Sequence, residues 1–109
     1  MPQTYKVLGQ VVPAASGLTS LYTVPTGYQA VCSTLAVCNL TDSSATYRVA
    51  VRPTGESLNN KHYLVYDSYV NFQDSIFLTL GLTLNSTDIL SIYTTSSGTA
   101  FSLFGSEIS

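Results

Sequence analysis

Alternation of apolar and polar side chains is the feature that most constrains how this chain can fold. In residues 75–84, SIFLTLGLTL, every second side chain is aliphatic: Ile76, Leu78, Leu80, Leu82 and Leu84. Because successive side chains of a strand point to opposite faces, this period of two predicts a β-strand. The same period in residues 45–52 predicts a half-buried strand that carries Arg48 and Arg52 on its outward face.

Applied along the chain, the alternation predicts eight strands, at about residues 4–12, 19–24, 29–39, 45–52, 61–67, 75–84, 88–95 and 99–105. The segments between them are rich in Gly, Pro, Asn, Asp and Ser, which favour turns. Small or apolar residues on both faces of the third strand predict a central position in its sheet. The TSSGT segment at residues 95–99 predicts a hairpin between the last two strands.

Eight short strands at fairly regular spacing are typical of a β-sandwich or a small barrel. We therefore expect one all-β domain over residues 1–109, a single β-sandwich of jelly-roll-like topology. An immunoglobulin-like sandwich is the alternative, because it would show the same alternation. The strand at residues 75–84 would be an aggregation hazard as an exposed edge, so we expect the core or a neighbouring subunit to cover it.

The chain carries few charges, with four basic and six acidic side chains and a net charge of −2. Binding to a phosphate backbone needs a clustered positive surface, so we expect no nucleic-acid partner. No apolar run reaches the roughly 18 residues of a membrane span, and the N-terminal MPQTYKVLGQ lacks the apolar core of a secretory signal. Weak self-repulsion favours a protein that hides part of its surface in an assembly, such as a homo-oligomer.

The sequence offers no pattern typical of catalysis or metal binding. His62 is the only imidazole, and no spacing pairs it with one serine among many. The carboxylates fall mostly in or beside turns, without the facing pair that a glycosidase needs. On one straight strand Cys32 and Cys38 would share a face and lie roughly 20 Å apart, which is too far for a disulfide. Two cysteines and one histidine are also too few ligands for a metal site. We expect no enzyme activity, metal or cofactor, and we expect NLT at 39–41 and NST at 85–87 to serve as turns.

Residues 51–67, VRPTGESLNNKHYLVYD, concentrate charge and tyrosine in a chain that is otherwise nearly uncharged. Tyrosine with a few charges is common at protein interfaces and equally on the outer faces of strands. We expect this stretch to form a solvent-exposed end of the sandwich that also serves as an interface. We expect His62 to hydrogen-bond to a loop or to a neighbouring chain. A buried arginine or lysine there would need a carboxylate partner, and Asp67 is one candidate. The candidate interface residues are Arg52, Lys61, His62, Tyr63, Tyr66 and Asp67.

Three segments resemble small structural proteins of tailed bacteriophages. LYTVPTGYQAVCSTLAVCN is similar to an LYTVPAG…V…VCN stretch in many of them. RVAVRPTGESLNNKHYLVYD resembles the R-V-A-V-R-P-x-G…N-K-H-Y…Y-D segment of a set common in marine and cyanobacterial phages. LTLGLTLNSTDILSIYTTSSGTAFSLFGSEIS is similar to their closing part, which ends in FGSE. The resemblance runs from about Tyr5 to Ser109 and includes no catalytic motif.

The resemblance implies a component of the virion that is made in the cytoplasm of a host bacterium. We expect a capsid cement or decoration protein that contacts the major capsid protein, and a homotrimer is the favoured oligomer. A neck, tail or baseplate accessory protein is the alternative, and a carbohydrate-binding or receptor-binding module of a fibre is a further one. Arg52, Lys61, His62, Tyr63 and Asp67 lie in the matching segment, and the resemblance implies no catalytic role for them.

Overall fold

The alternation is realised as eight β-strands in the computed structural model, which describes residues 3–109. Two short 3-10 turns, Pro53–Gly55 and Asn60–His62, lie between the fourth and fifth strands. The strands are β1 (Gln3–Val11), β2 (Thr19–Thr23), β3 (Gln29–Asn39), β4 (Ala45–Arg52), β5 (Tyr63–Val70), β6 (Ser75–Leu84), β7 (Ile89–Thr94) and β8 (Thr99–Ile108). No helix in this described part of the chain is long and apolar enough to cross a membrane.

The strands form two four-stranded antiparallel sheets, with the orders β1-β8-β3-β6 (sheet I) and β2-β7-β4-β5 (sheet II). The first strand pairs with the last, the second with the seventh, the third with the sixth and the fourth with the fifth. This nested pairing is that of an eight-stranded jelly roll. The predicted β-sandwich is confirmed, with the jelly-roll order. The immunoglobulin-like alternative is wrong, because that fold places the first strand beside the second.

The core lies between the sheets and consists of the inward-facing positions of both. Tyr47 of β4 packs edge-to-face against Phe101 of β8, with ring centroids 6.3 Å apart, so this aromatic pair joins sheet II to sheet I. Burying each large apolar side chain contributes about 1.5–3 kcal/mol relative to leaving it exposed. The largest fully buried apolar side chains are Phe101, Leu35, Leu90, Ile92, Leu103, Val24, Val37, Val49 and Val70.

The third strand is central, as predicted, but it is not straight. It lies between β8 and β6, and its register shifts at Ser33 against both neighbours. The shift turns Cys32 into the core and leaves Cys38 half-exposed on the outer face, and both thiols are free. The two cysteines therefore do not share a face, because the bulge at Ser33 reverses the alternation between them.

Two local predictions are wrong for identifiable reasons. The fifth strand begins at Tyr63 rather than at residue 61, because the Asn59 side chain caps the 3-10 turn Asn60–His62. The TSSGT segment is not a hairpin, since β7 belongs to sheet II and β8 to sheet I. This turn instead crosses between the sheets, where the Leu40 N–H donates to the carbonyl of Gly98 (2.8 Å). The same residue types serve both kinds of turn, so turn chemistry alone does not distinguish them.

A buried carboxylate links the sheets at the end of the sandwich where β8 finishes. Glu107 of β8 is 8% exposed, accepts a hydrogen bond from the Tyr22 hydroxyl of sheet II (2.5 Å) and pairs with the Lys6 ammonium of β1 (2.6 Å). Lys6 first, and Tyr22 second, hold the pKa of Glu107 below its ordinary value. Desolvation, reinforced by this carboxylate, raises the pKa of Tyr22. The charge at Glu107 is therefore paired and hydrogen-bonded, as a buried charge must be.

Candidate interaction surface

The outer face of sheet II carries three tyrosines that a regular strand could not place together. Tyr63, Tyr66 and Tyr69 are spaced by three residues, and a period of two would turn Tyr66 away from the other two. The register of β5 against β4 shifts twice, around Leu64 and around Asp67. Each bulge reverses the alternation, so all three tyrosines face outward.

The register confirms these orientations from the β4 side. Tyr63 lies opposite Ala50 and Tyr69 opposite Thr46, two outward positions of β4. The second bulge contains Asp67, whose φ is 53°. Aspartate tolerates this left-handed backbone better than most side chains do, which favours Asp67 at this position.

A guanidinium group organises the middle of this surface. Arg48 Nε lies 2.6 Å from Asp67 Oδ1 and its Nη2 lies 3.2 Å from Oδ2. The same guanidinium stands 4.1 Å from the ring centroid of Tyr66 and 4.4 Å from that of Tyr93. Two-point pairing fixes the plane of the guanidinium, and the two rings hold it by cation–π attraction. We call Tyr63, Tyr66, Tyr69, Tyr93, Arg48 and Asp67 the tyrosine ridge.

The ridge is electrically neutral and open to solvent. The hydrogen bond from Arg48 lowers the pKa of Asp67, and Asp67 raises the pKa of Arg48, so the pair stays ionised at neutral pH. Tyr66 is 58% exposed and Tyr69 is 73% exposed. The rings of Tyr63 and Tyr66 meet at 83° with centroids 4.9 Å apart, and with Asn60 they line a shallow groove. The surface thus presents exposed aromatic rings beside hydrogen-bonding groups.

The charged loop at residues 53–62 folds over the neighbouring part of the same outer face. Arg52 Nε donates to the hydroxyl of Ser91, which is fully buried although it points away from the core (3.1 Å). Its Nη1 donates to the carbonyl of Glu56 in the loop (3.2 Å). At the start of the loop, the Thr54 N–H donates to Asp88 of the β6–β7 turn (2.9 Å). These contacts fasten the loop to sheet II.

His62 closes this loop upon itself. It is 5% exposed, and its Nδ1 accepts the backbone N–H of Asn59 (3.0 Å). A neutral ring then carries its proton on Nε2, which donates to Glu56 Oε1 (3.3 Å). Lys61 stays exposed, with its ammonium 3.9 Å from the same carboxylate oxygen. Both ring nitrogens of His62 are engaged within the loop.

The structure divides the predicted interface residues into two groups. Tyr63, Tyr66 and Asp67 belong to the ridge. The other three, Arg52, Lys61 and His62, belong to the adjoining loop. Asp67 pairs with Arg48, not with Arg52 or Lys61, because the bulge directs its carboxylate toward Arg48 on the neighbouring strand β4.

Sequence reasoning missed three members of the ridge. Arg48 was predicted to face outward but not to join the site, and nothing in the sequence links Tyr93 to β5. The third, Tyr69, could have been found from the regular spacing of three tyrosines, which is unusual in a strand and indicates bulges.

The described residues show neither a metal-binding cluster nor an unsatisfied buried polar side chain. Among residues 3–109, no three His, Cys, Asp or Glu side chains converge into a group that could hold a metal ion. Every buried side-chain nitrogen and oxygen described there has a hydrogen-bond partner. Asn39, the first residue of NLT, is 1% exposed, and its amide binds the carbonyls of Ser43 (2.7 Å) and Val70 (3.3 Å). This asparagine therefore holds a turn, as predicted.

No protein-family model matches the chain, and a search of curated proteins finds no significant match.

Proposed function

We propose that this chain is a structural component of a tailed-bacteriophage virion and acts as a capsid cement protein. In this role it binds subunits of the shell through the tyrosine ridge. The particle is assembled in the cytoplasm of a bacterial host. The observation that carries the proposal is the ridge itself, since tyrosine and arginine are the residue types enriched where protein interfaces concentrate their binding energy. The resemblance to phage structural proteins supplies the class of partner.

The geometry of the ridge suits binding by contact. The Arg48–Asp67 pair holds the guanidinium against the rings of Tyr66 and Tyr93 before any partner arrives, so less conformational entropy of these side chains is lost on binding. The ion pair is already internally neutralised, so a partner covering Tyr66 need not supply a counter-charge. A protein that binds only the assembled shell stabilises it by mass action, in proportion to its affinity and concentration.

Binding to capsids that lack this protein tests the proposal. Tyr66→Ala should weaken binding about 30-fold, equivalent to the roughly 2 kcal/mol of an interface hot spot. Tyr28→Ala is the matched control, because Tyr28 is an exposed tyrosine outside the ridge (39%) and its loss should leave the affinity unchanged. Equal binding by Tyr66→Ala and the native chain would contradict the proposed use of the ridge.

The number of copies in a virion separates a cement protein from a neck, tail or baseplate accessory protein. A cement protein follows the many repeated positions of the shell, whereas an accessory protein follows a single ring of low symmetry. The same ridge could bind a partner on the shell or on the neck, tail or baseplate. The copy number, and not the binding affinity, therefore decides between a cement protein and an accessory protein.

A second candidate function, binding of neutral saccharides, is favoured by the groove at Asn60, Tyr63 and Tyr66. A sugar could stack its C–H face on an exposed ring and hydrogen-bond to the Asn60 amide. Titration of the protein with soluble neutral oligosaccharides, followed by NMR shifts of the ridge residues, tests this candidate. Shifts confined to the groove and abolished by Tyr66→Ala would support it, and unchanged spectra would remove it.

A further inference from the structure

The sixth strand leaves an unprotected edge on sheet I. In the described residues β6 pairs only with β3, so its other side offers backbone N–H and C=O groups to a further strand. Its outward Phe77 is 69% exposed. Its inward aliphatic side chains pack on the core but stay partly exposed: Ile76, Leu78, Leu80 and Leu82. The strand that sequence analysis expected to be covered is therefore uncovered in a single copy of the chain.

The other three edge strands carry the features that normally block strand addition. Charged residues, bulges and short length prevent edge-to-edge pairing. Strand β1 carries Lys6 and a register shift after Val7. Strand β2 has five residues and a register shift, and β5 has two bulges and Asp67.

Strand β6 differs from these edges over most of its length. None of its ten residues is charged. Its one shift of register against β3 falls at Leu80 and Gly81, opposite Ser33 of β3. Gly81 has a φ of 65° there. Residues 75–79 therefore form a regular, uncharged stretch that is free to accept a strand.

We propose that β6 pairs antiparallel with β6 of a second copy of this chain, across a two-fold axis at Phe77. A two-fold interface must be self-complementary, with the same patch on both subunits. In this register Phe77 lies opposite its own copy, and Ile76 lies opposite Leu78 on the inward face. Asp74 falls opposite Leu80, so the pairing brings no like charges together.

The occupant follows from the chemistry of the edge. Unpaired backbone groups in a row are satisfied by another strand, and aliphatic side chains beside them need an aliphatic strand. β6 itself meets both needs. The pairing would join two four-stranded sheets into one of eight strands and cover Phe77. This inference does not rest on the virion assignment, because it concerns the purified chain in solution.

Light scattering after size exclusion gives the first test, over a range of protein concentrations. We expect a concentration-dependent species of twice the 11.7 kDa chain mass. Phe77→Lys sets two ammonium groups face to face at the axis and should weaken dimerisation at least tenfold. Thr83→Lys adds the same charge at an exposed position of β6 beyond the bulge and should leave the dimer intact. A native chain that is monomeric at every concentration, or trimeric, would overturn the proposal.

Cross-linking tests the register. Under mild oxidation Phe77→Cys should form a disulfide-linked dimer, because directly opposed Cβ atoms lie about 4.5–5.5 Å apart in an antiparallel pair. Thr83→Cys is the matched control and should remain uncross-linked, as should the native chain with its own two cysteines. Efficient cross-linking through Thr83→Cys and none through Phe77→Cys would overturn the two-fold axis at Phe77. Circular dichroism of each variant establishes that it is folded.

Discussion

Arg48 and Asp67 form a two-point ion pair across a β-bulge, with Nε 2.6 Å from Oδ1 and Nη2 3.2 Å from Oδ2. The bulge brings Asp67 opposite Arg48, and the pair holds the guanidinium between the rings of Tyr66 and Tyr93. The bulge, the ion pair and the cation–π contacts thus stabilise one another on the outer face of sheet II. This is the physical basis on which a strand with tyrosines at every third position presents a single aromatic surface.

Substitutions at Asp67 should separate the role of the bulge from that of the charge. Asp67→Gly removes the carboxylate but accepts the positive φ, whereas Asp67→Val also opposes that backbone conformation. We expect the valine variant to melt roughly 5–10 °C below the glycine variant. Thermal melts followed by circular dichroism measure the difference, and equal melting temperatures would show that the bulge does not depend on residue 67.

Glu107 should make stability fall on acidification. Its pKa in the folded chain is below the ordinary 4.5, chiefly because of Lys6. A lowered folded pKa means that the stabilisation is complete above the unfolded value and is lost as the pH falls through the folded value. The melting temperature of the native chain should therefore approach that of Glu107→Gln as the pH falls below the ordinary carboxylate pKa of 4.5. Asp42→Asn, at an exposed carboxylate, is the control and should keep the native profile. A constant gap between the native chain and Glu107→Gln would contradict this role of Glu107.

Removing the hydroxyl that binds this carboxylate should cost stability at neutral pH. Tyr22→Phe keeps the ring in the core and deletes the 2.5 Å hydrogen bond to Glu107. Hydrogen bonds to charged groups contribute about 1.5–3 kcal/mol, so the free energy of unfolding in urea should drop by that amount. Tyr28→Phe, at an exposed ring outside the core, should change the free energy of unfolding little. An unchanged value for Tyr22→Phe would mean that water replaces the hydroxyl without loss.

Gly105 should not tolerate a side chain. A Cβ at this position would collide with the carbonyl oxygen of Val31 on the neighbouring strand, whereas a Cβ at Gly17 meets nothing within 4 Å. Gly105→Ala should therefore lower the free energy of unfolding by about 1–3 kcal/mol or prevent folding, and Gly17→Ala should not. Urea denaturation compares the two variants. Equal stability of both would contradict the close approach of β8 to β3.

The sequence was sufficient to predict the positions of the strands but not those of the bulges. Alternation located residues 29–39, 45–52 and 75–84 with the bounds that the structure has, because a half-buried strand must alternate. Alternation contains no information on which strands pair. The TSSGT segment was therefore predicted to form a hairpin, although it crosses between the sheets. The bulges at Ser33 and Asp67 depend on neighbouring strands, and periodicity along a single strand does not reveal them.

The candidate surface was predicted only in part for the same reason. Tyr63, Tyr66 and Asp67 stood out because they lie in a stretch that concentrates charge and tyrosine. The inclusion of Arg48 and Tyr93 depends on strand pairing, since they lie on β4 and β7. Likewise, the exposure of β6 follows from its place at the end of the strand order, which the residues of β6 do not encode.

The copy number of this chain in purified virions, relative to the major capsid protein, tests the cement role most directly. Quantitative mass spectrometry of purified particles gives the ratio. We predict a ratio near one or a simple fraction of about one-third to two-thirds, because a cement protein repeats with the symmetry of the shell. About a dozen copies per particle would instead assign the chain to the neck or tail, and complete absence from the particles would contradict a structural role in the virion.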